Sequence, residues 1–281
     1  MNYAVYKLKY FLTAGLVLLS TAGFSQTDNW TINFPKYSEK ADKIPIRKNL
    51  WIFIMAGQSN MAGRGFVEPQ DTLSNDRIVT IAKNNEWVYA KEPLHFYEPN
   101  RAGLDCGLSF GKELIRHLND SVSIALIPCA IGGSSIQQWL GDSLYRNVKL
   151  LSNFKSKVDF VKNYGVIKGI LWHQGESDAH PGLTEQYQKR FAQLISIFRS
   201  YVQNNNLPVL IGELGSFTNE DNKAYRDSIN HSMERLAKSD KDIHIIKTKD
   251  LTHKGDNLHF DSPSQRIMGK RFAEKFLELQ K

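Results

Sequence analysis

The amino-acid sequence predicts an α/β protein, a three-layer α/β/α sandwich around a mostly parallel central sheet, on two observations. Apolar runs rich in β-forming residues recur at 50–56, 122–128, 166–172, 208–213 and 243–247. Short runs of this kind, closed off by glycine or polar residues, are what a parallel strand buried on both faces looks like. Between and after them, apolar residues three and four apart mark amphipathic helices at about 108–119, 144–163, 184–204, 222–238 and 262–279. Strand and helix alternate, which implies βαβ units with helices covering both faces of the sheet.

The chain of 281 residues is long enough for one large α/β domain with a sizeable core. Its 41% hydrophobic and 23% charged residues exclude a disordered chain and a multi-span membrane protein. At the N-terminus, Lys7 and Lys9 precede an apolar run at 10–19 and then small residues, so residues 1–25 read as a cleaved secretory signal. The apolar run is shorter than the roughly 20 residues a membrane span needs, and no stable span is expected after cleavage. Residues 26–47 carry Pro35 and Pro45 without a clean period and form a lead-in, leaving 48–281 as the catalytic domain.

Removing the signal lowers the formal charge from +7 to +5, because Lys7 and Lys9 are its only charged side chains. The basic residues are scattered among acids and no zinc-finger or RNA-binding signature accompanies them, which argues against nucleic acid as a partner. Two cysteines, Cys106 and Cys129, are compatible with a disulfide in an oxidising compartment but do not imply one, and they lack metal-ligand spacing.

Ligands on such a sheet gather beyond the carboxyl ends of the strands, and the residues that follow the apolar runs are conspicuously polar. The first run leads into Gly57-Gln58-Ser59-Asn60-Met61-Ala62-Gly63, the second into Cys129-Ala130-Ile131-Gly132-Gly133-Ser134-Ser135, and the third into Trp172-His173-Gln174-Gly175-Glu176-Ser177-Asp178. A fourth polar loop, Gly255-Asp256-Asn257-Leu258-His259-Phe260, precedes the last helix. A serine nucleophile needs a base, an acid that fixes the tautomer of that base, and donors aimed at the developing oxyanion. These four loops offer all of them. Taken singly, each has a structural explanation: Ser59 as a helix cap, Gly132-Gly133 as a turn, His173 and Glu176 as satisfied polar groups near the sheet.

The motifs Gly57-Gln58-Ser59-Asn60-Met61-Ala62-Gly63, Trp172-His173-Gln174-Gly175-Glu176-Ser177-Asp178 and Asp256-x-x-His259 together resemble the SGNH hydrolase superfamily, and within it the sialate O-acetylesterase and acetylxylan esterase branch of carbohydrate esterases. The similarity runs from about Asn49 to the C-terminus. It implies a flavodoxin-like sandwich and a catalytic set of Ser59 as nucleophile, His259 as base and Asp256 as its partner. It further implies an oxyanion hole of the Ser59 N–H, the Gly133 N–H and the Gln174 side chain, where most of the superfamily has asparagine. Gln58 and Glu176 take supporting roles. No metal or other cofactor is implied.

The Gly-x-Ser-x-Gly elbow of common lipases is absent, since Met61 stands where its second glycine would be. Walker, His-Glu-x-x-His and Gly-x-Gly-x-x-Gly motifs are also absent. The expected partner is an O-acetylated oligo- or polysaccharide met in the periplasm or outside the cell. The competing reading is a carbohydrate-binding protein that kept the esterase scaffold without turnover. Trp139 and Trp172 flank two of the polar loops and have two possible fates, stacking on a sugar or burial in the core. No sequence feature recognises a sialic carboxylate, which tilts the expectation slightly towards polysaccharide acetyl groups. The His259 base is expected to titrate at about 6.5 or somewhat above, through Asp256.

Overall fold

The computed structural model describes residues 30–218 and 220–280; the predicted signal segment lies outside these residues. The chain enters the sheet through β1 (Leu50–Gly57) and makes the short helix α1 (Ser59–Ala62). It then forms two strands, β2 (Ile78–Ile81) and β3 (Trp87–Tyr89), followed by α2 (Gly107–His117), β4 (Ser123–Pro128) and α3 (Ile136–Leu140). A two-residue-per-strand hairpin, β5 (Leu144–Tyr145) and β6 (Val148–Lys149), precedes α4 (Leu150–Val161). The second half runs β7 (Val166–His173), α5 (Thr184–Val202), β8 (Val209–Gly212), α6 (Glu220–Ser239), β9 (Ile243–Ile246) and α7 (Ser262–Glu278).

Seven strands form one sheet in the order β3-β2-β4-β1-β7-β8-β9, parallel throughout except where β3 returns along β2. Central β1 shows why its residues make a doubly buried strand. Leu50, Ile52, Ile54 and Ala56 join the core under α3, α4, α5 and α6, while Phe53 and Met55 face the core under α2 and α7. Successive side chains alternate between the faces, so a continuous apolar run serves two cores at once.

Two parts differ from the sequence expectation. The predicted helix at 144–163 begins six residues later, because Arg146 and Asn147 adopt positive φ (49° and 63°) and turn residues 144–149 into the hairpin. That pair of left-handed residues suits a tight hairpin turn. The sheet also carries β2 and β3, which the sequence did not reveal, and the lead-in adds to this edge. Lys40 bridges to Val88, and the Ala41 N–H donates to the Trp87 carbonyl at 3.0 Å.

Both cysteines are free and buried, with Cys129 in the core of one sheet face and Cys106 in the other. Burial pushes the Cys129 thiol up to about 12. Trp139 and Trp172 are fully buried, edge to face at 5.5 Å, so neither is a sugar-stacking surface. No helix among the described residues is long and apolar enough to cross a membrane.

Phe198 sits at the centre of this aromatic core, stacked on Phe154 at 4.0 Å and 6.0 Å from both tryptophans. Phe198→Ala is expected to cost about 3–5 kcal/mol of stability, the range for truncating a buried phenylalanine. Urea unfolding measures it, and turnover by the folded fraction is expected to be unchanged.

Candidate active site

The chain leaves β1 for β2 and β4 on one side and meets β7 on the other, so β1 is the point at which the strand order reverses. Crevices for ligands form at such points. The three polar loops singled out in the sequence follow β1, β4 and β7, and the fourth loop, just before α7, closes over them.

At the end of β1, Gly57 has φ of +137°, and a Cβ there would lie 2.2 Å from the His173 carbonyl oxygen. Only glycine allows this approach of β1 to β7. The next N–H, of Gln58, donates to the same carbonyl at 2.9 Å. Gln58 is the N-cap of α1, which makes Ser59 the first helical residue, with a buried side chain and a backbone N–H pointing out of the turn.

The Ser59 Oγ lies 3.0 Å from the His259 Nε2, although 200 residues separate them. The His259 Nδ1 faces the Asp256 Oδ2 at 2.7 Å, and the Asp256 Oδ1 accepts the N–H groups of Leu258 at 3.0 Å and His259 at 2.8 Å. The carboxylate therefore selects the tautomer with its proton on Nδ1, leaving Nε2 to accept from the serine hydroxyl. The arrangement can deprotonate Ser59 and later return that proton.

Asn60 ties the loops together. Its Nδ2 donates to the Glu176 Oε1 at 2.6 Å and to the Leu258 carbonyl at 3.2 Å, while its Oδ1 accepts from the Phe260 N–H at 3.1 Å. The His253 Nδ1 stiffens the histidine loop by accepting from the N–H groups of Gly255 and Asn257, both at 3.0 Å. Glu176 thus supports Asn60. The sequence reading gave no role to Asn60 or His253, which order these loops; the adjacency of Asn60 to Ser59 was its signal.

The loop after β4 brings Gly133 to the cavity with φ of +79°, where a Cβ would meet the Tyr145 hydroxyl at 2.7 Å. Neighbouring Gly132 donates its N–H to the Glu98 Oε2 at 2.6 Å; Arg64, at 2.7 Å, and Arg146 hold that carboxylate from other directions. The N–H groups of Ser59 and Gly133 have no hydrogen-bond partner among the described residues.

Gln174 corrects the expected third donor. Its Nε2 is spent on the Asp178 Oδ2 at 2.6 Å, the Ser134 carbonyl at 3.1 Å and the Gln58 Oε1 at 3.2 Å, and the side chain is fully buried outside the cavity lining. Gln58 lies the other way round. Its Oε1 also accepts from the N–H groups of Gly175 at 3.3 Å and Ser177 at 3.2 Å, which leaves its Nε2 free of any partner at the cavity surface.

The cavity of about 360 Å³ is strongly basic. Arg64, Arg101, Arg146 and Arg226 line it together with Glu176, and the buried Glu98 just behind the wall pairs with Arg64 and Arg146. These four arginines come from separate stretches of the chain, and Arg226 donates to the Phe217 carbonyl. Burial lowers His259 below the ordinary histidine value, and the neighbouring Asp256 only partly offsets it. Burial pulls Asp256 upward, yet hydrogen bonds from His259 and Leu258 keep its carboxyl below the usual range. No cluster of three or more His, Cys, Asp or Glu suited to a metal occurs among the described residues.

Fold and site together define an SGNH-type hydrolase. Residues 49–278 match the family model described as "Carbohydrate esterase, sialic acid-specific acetylesterase", and the chain belongs to that family of carbohydrate esterases. It is similar to a probable carbohydrate esterase of Arabidopsis thaliana, 31% identical over 247 residues that cover 80% of this chain and 90% of the relative. The solved structure of that protein superimposes with a TM-score of 0.72 at 29% identity, covering 82% of this chain and 98% of the other. NanS shares the fold at 18% identity, with a TM-score of 0.67 over 84% of this chain and 99% of its own. A carbohydrate acetylesterase of Xanthomonas citri does so at 22% identity and 0.60, over 80% and 54%.

A neutral imidazole is required to accept the serine proton, so the rate falls as pH drops through the His259 pKa. With burial as the dominant influence, the acid limb of kcat/KM is expected to have its midpoint below the ordinary value of about 6.5. A pH profile with a midpoint above that value would show that Asp256 outweighs burial, as the sequence alone suggested.

Proposed function

We propose that this carbohydrate esterase removes acetyl groups from O-acetylated saccharides through an acyl-enzyme on Ser59. The observation that carries the reading is the continuous relay from the Ser59 Oγ through His259 to Asp256, at 3.0 and 2.7 Å. His259 takes the hydroxyl proton as the Ser59 Oγ attacks the acetyl carbonyl carbon. The tetrahedral oxyanion is met by the N–H groups of Ser59 and Gly133 and by the Gln58 Nε2, which takes the part expected of Gln174. Collapse expels the sugar oxygen, which His259 protonates. Water, deprotonated by the same imidazole, then releases acetate and frees Ser59.

The size and polarity of the cavity support a small acyl group: it is lined by arginine, histidine, glutamine and glycine and offers no apolar tunnel. The basic, apolar and small-residue order of residues 1–25 supports export, and hence action on glycans beyond the cytoplasm.

Ser59→Ala is expected to abolish acetate release while the protein stays folded. His259→Ala is expected to match it, and the double variant to be scarcely slower than either, because the groups act as a unit. A fluorophosphonate probe is expected to label the wild type and not Ser59→Ala. Gln58→Glu keeps the acceptor that anchors residues 174–177 but replaces the donor with a charged oxygen, so kcat is expected to fall by about 10²–10³ with thermal stability retained. Full activity in Ser59→Ala overturns the mechanism, and full activity in Gln58→Glu removes that residue from the oxyanion hole. Hydrolysis of nitrophenyl acetate is expected to exceed that of nitrophenyl octanoate, and EDTA to have no effect.

A further inference from the structure

The catalytic cavity does not stand alone. A second hollow of about 590 Å³ shares Arg146 with it as a common wall. That hollow in turn shares Lys83 and Phe96 with a third, of about 710 Å³, between the β2–β3 hairpin and the lead-in. The three hollows therefore adjoin in series, from Ser59 past the β5–β6 hairpin to the edge of the sheet. The largest space in the series is the one farthest along it from the nucleophile.

The walls of the outer two hollows have a definite chemistry. Every ionisable acid or base among their lining residues, tyrosine aside, is basic, and no Asp or Glu lines either one. The whole protein, by contrast, carries 29 acids beside its 36 lysines and arginines. The exposed side chains of Lys83 and Lys149 form no salt bridge or hydrogen bond among the described residues, although Lys149 lies near Asp142, whereas Lys91 pairs with Glu39 and Arg146 with Glu98. Aromatic faces accompany the charge: Phe96 is half-buried at the junction, and Tyr37 is 83% exposed in the third hollow. Aromatic faces stack on the apolar faces of pyranose rings, while the lysines meet anionic groups.

We infer that the three hollows form one groove that binds an acidic, uronate-bearing polysaccharide chain and delivers its acetylated unit to Ser59. The inference rests on the esterase reading above and adds to it the length and charge of the substrate. One feature favours a polysaccharide over a nucleic acid: the groove adjoins an esterase cavity. Polymer contacts far from the reacting bond raise kcat/KM without touching the chemistry.

The test measures binding and turnover separately. Calorimetry with hexagalacturonate, xylohexaose and hexathymidylate is expected to show binding of the first, weakened by added salt, and little of the other two. Lys83→Glu with Lys149→Glu is expected to weaken hexagalacturonate binding by about tenfold or more, and Phe96→Ala to weaken it independently. Both variants are expected to cleave nitrophenyl acetate as the wild type does. Acetate release from acetylated uronate oligomers is expected to climb with length from dimer to hexamer in the wild type and to stay flat in the variants. The groove assignment is overturned if hexagalacturonate fails to bind, if the charge reversal leaves its binding unchanged, or if hexathymidylate binds more tightly. Failure of the esterase reading would show elsewhere, as acetate release that survives Ser59→Ala.

Discussion

The site depends on one constraint: a serine near the start of the sheet must sit within a hydrogen bond of a histidine 200 residues later. Asn60 enforces it. Fully buried, its side chain reaches the loop after β7 through Glu176 and the histidine loop through the Leu258 carbonyl and the Phe260 N–H. Its own carbonyl accepts from Gln265 in α7 at 3.0 Å. A buried amide with all of these partners gains from the low dielectric around it, and one left half-satisfied would lose as much. The relay thus inherits its geometry from a residue that takes no part in proton transfer.

The same economy governs the two glutamines. Both lie in a buried polar layer, where an amide nitrogen is held by whichever acceptors surround it. Gln174 spends its amide on Asp178, Ser134 and Gln58, which holds the start of α3 against the loop after β7 because Asp178 also accepts the Ile136 N–H at 2.9 Å. Gln58 spends only its oxygen. Three donors on one carbonyl fix the plane of the amide, so its nitrogen is held towards the cavity before any substrate arrives. A donor oriented in advance costs no reorganisation when charge develops, and this is the condition for effective oxyanion stabilisation.

The sandwich was legible because its signals are local, whereas the set of Ser59, Asp256 and His259 came from the resemblance carried by its motifs. An apolar run closed by Gly57 announces a buried strand whether or not its neighbours are known. The edge was not legible, because β2 and β3 are four and three residues long and owe their conformation to pairing with β4 and the lead-in. The hairpin at 144–149 was masked by Leu144 and Val148, which fit a helical period; the left-handed turn at Arg146 and Asn147 decides against it. The occupation of the Gln174 Nε2 by Asp178, Ser134 and Gln58 was beyond any motif, since it depends on partners from three separate segments. The arginines of the cavity, at 64, 101, 146 and 226, come from four separate segments, and only the folded chain gathers them.

Catalysis and recognition consequently lie on different kinds of backbone. The groups of the relay and the oxyanion hole stand at the carboxyl ends of central parallel strands or just before a packed helix, where both cores fix them. The residues that line the two outer hollows stand largely on the lead-in, the short edge strands and the loops that follow them, and the β5–β6 hairpin. Those peripheral segments contribute less to the core, so their side chains can change with little cost to the fold. The two layers meet at Arg146. It walls both the cavity at Ser59 and the neighbouring hollow, and through Glu98 it braces Gly132, whose neighbour Gly133 lines that cavity. Arg146 thus joins the wall of the neighbouring hollow, through Glu98, to the backbone of the loop that carries Gly133.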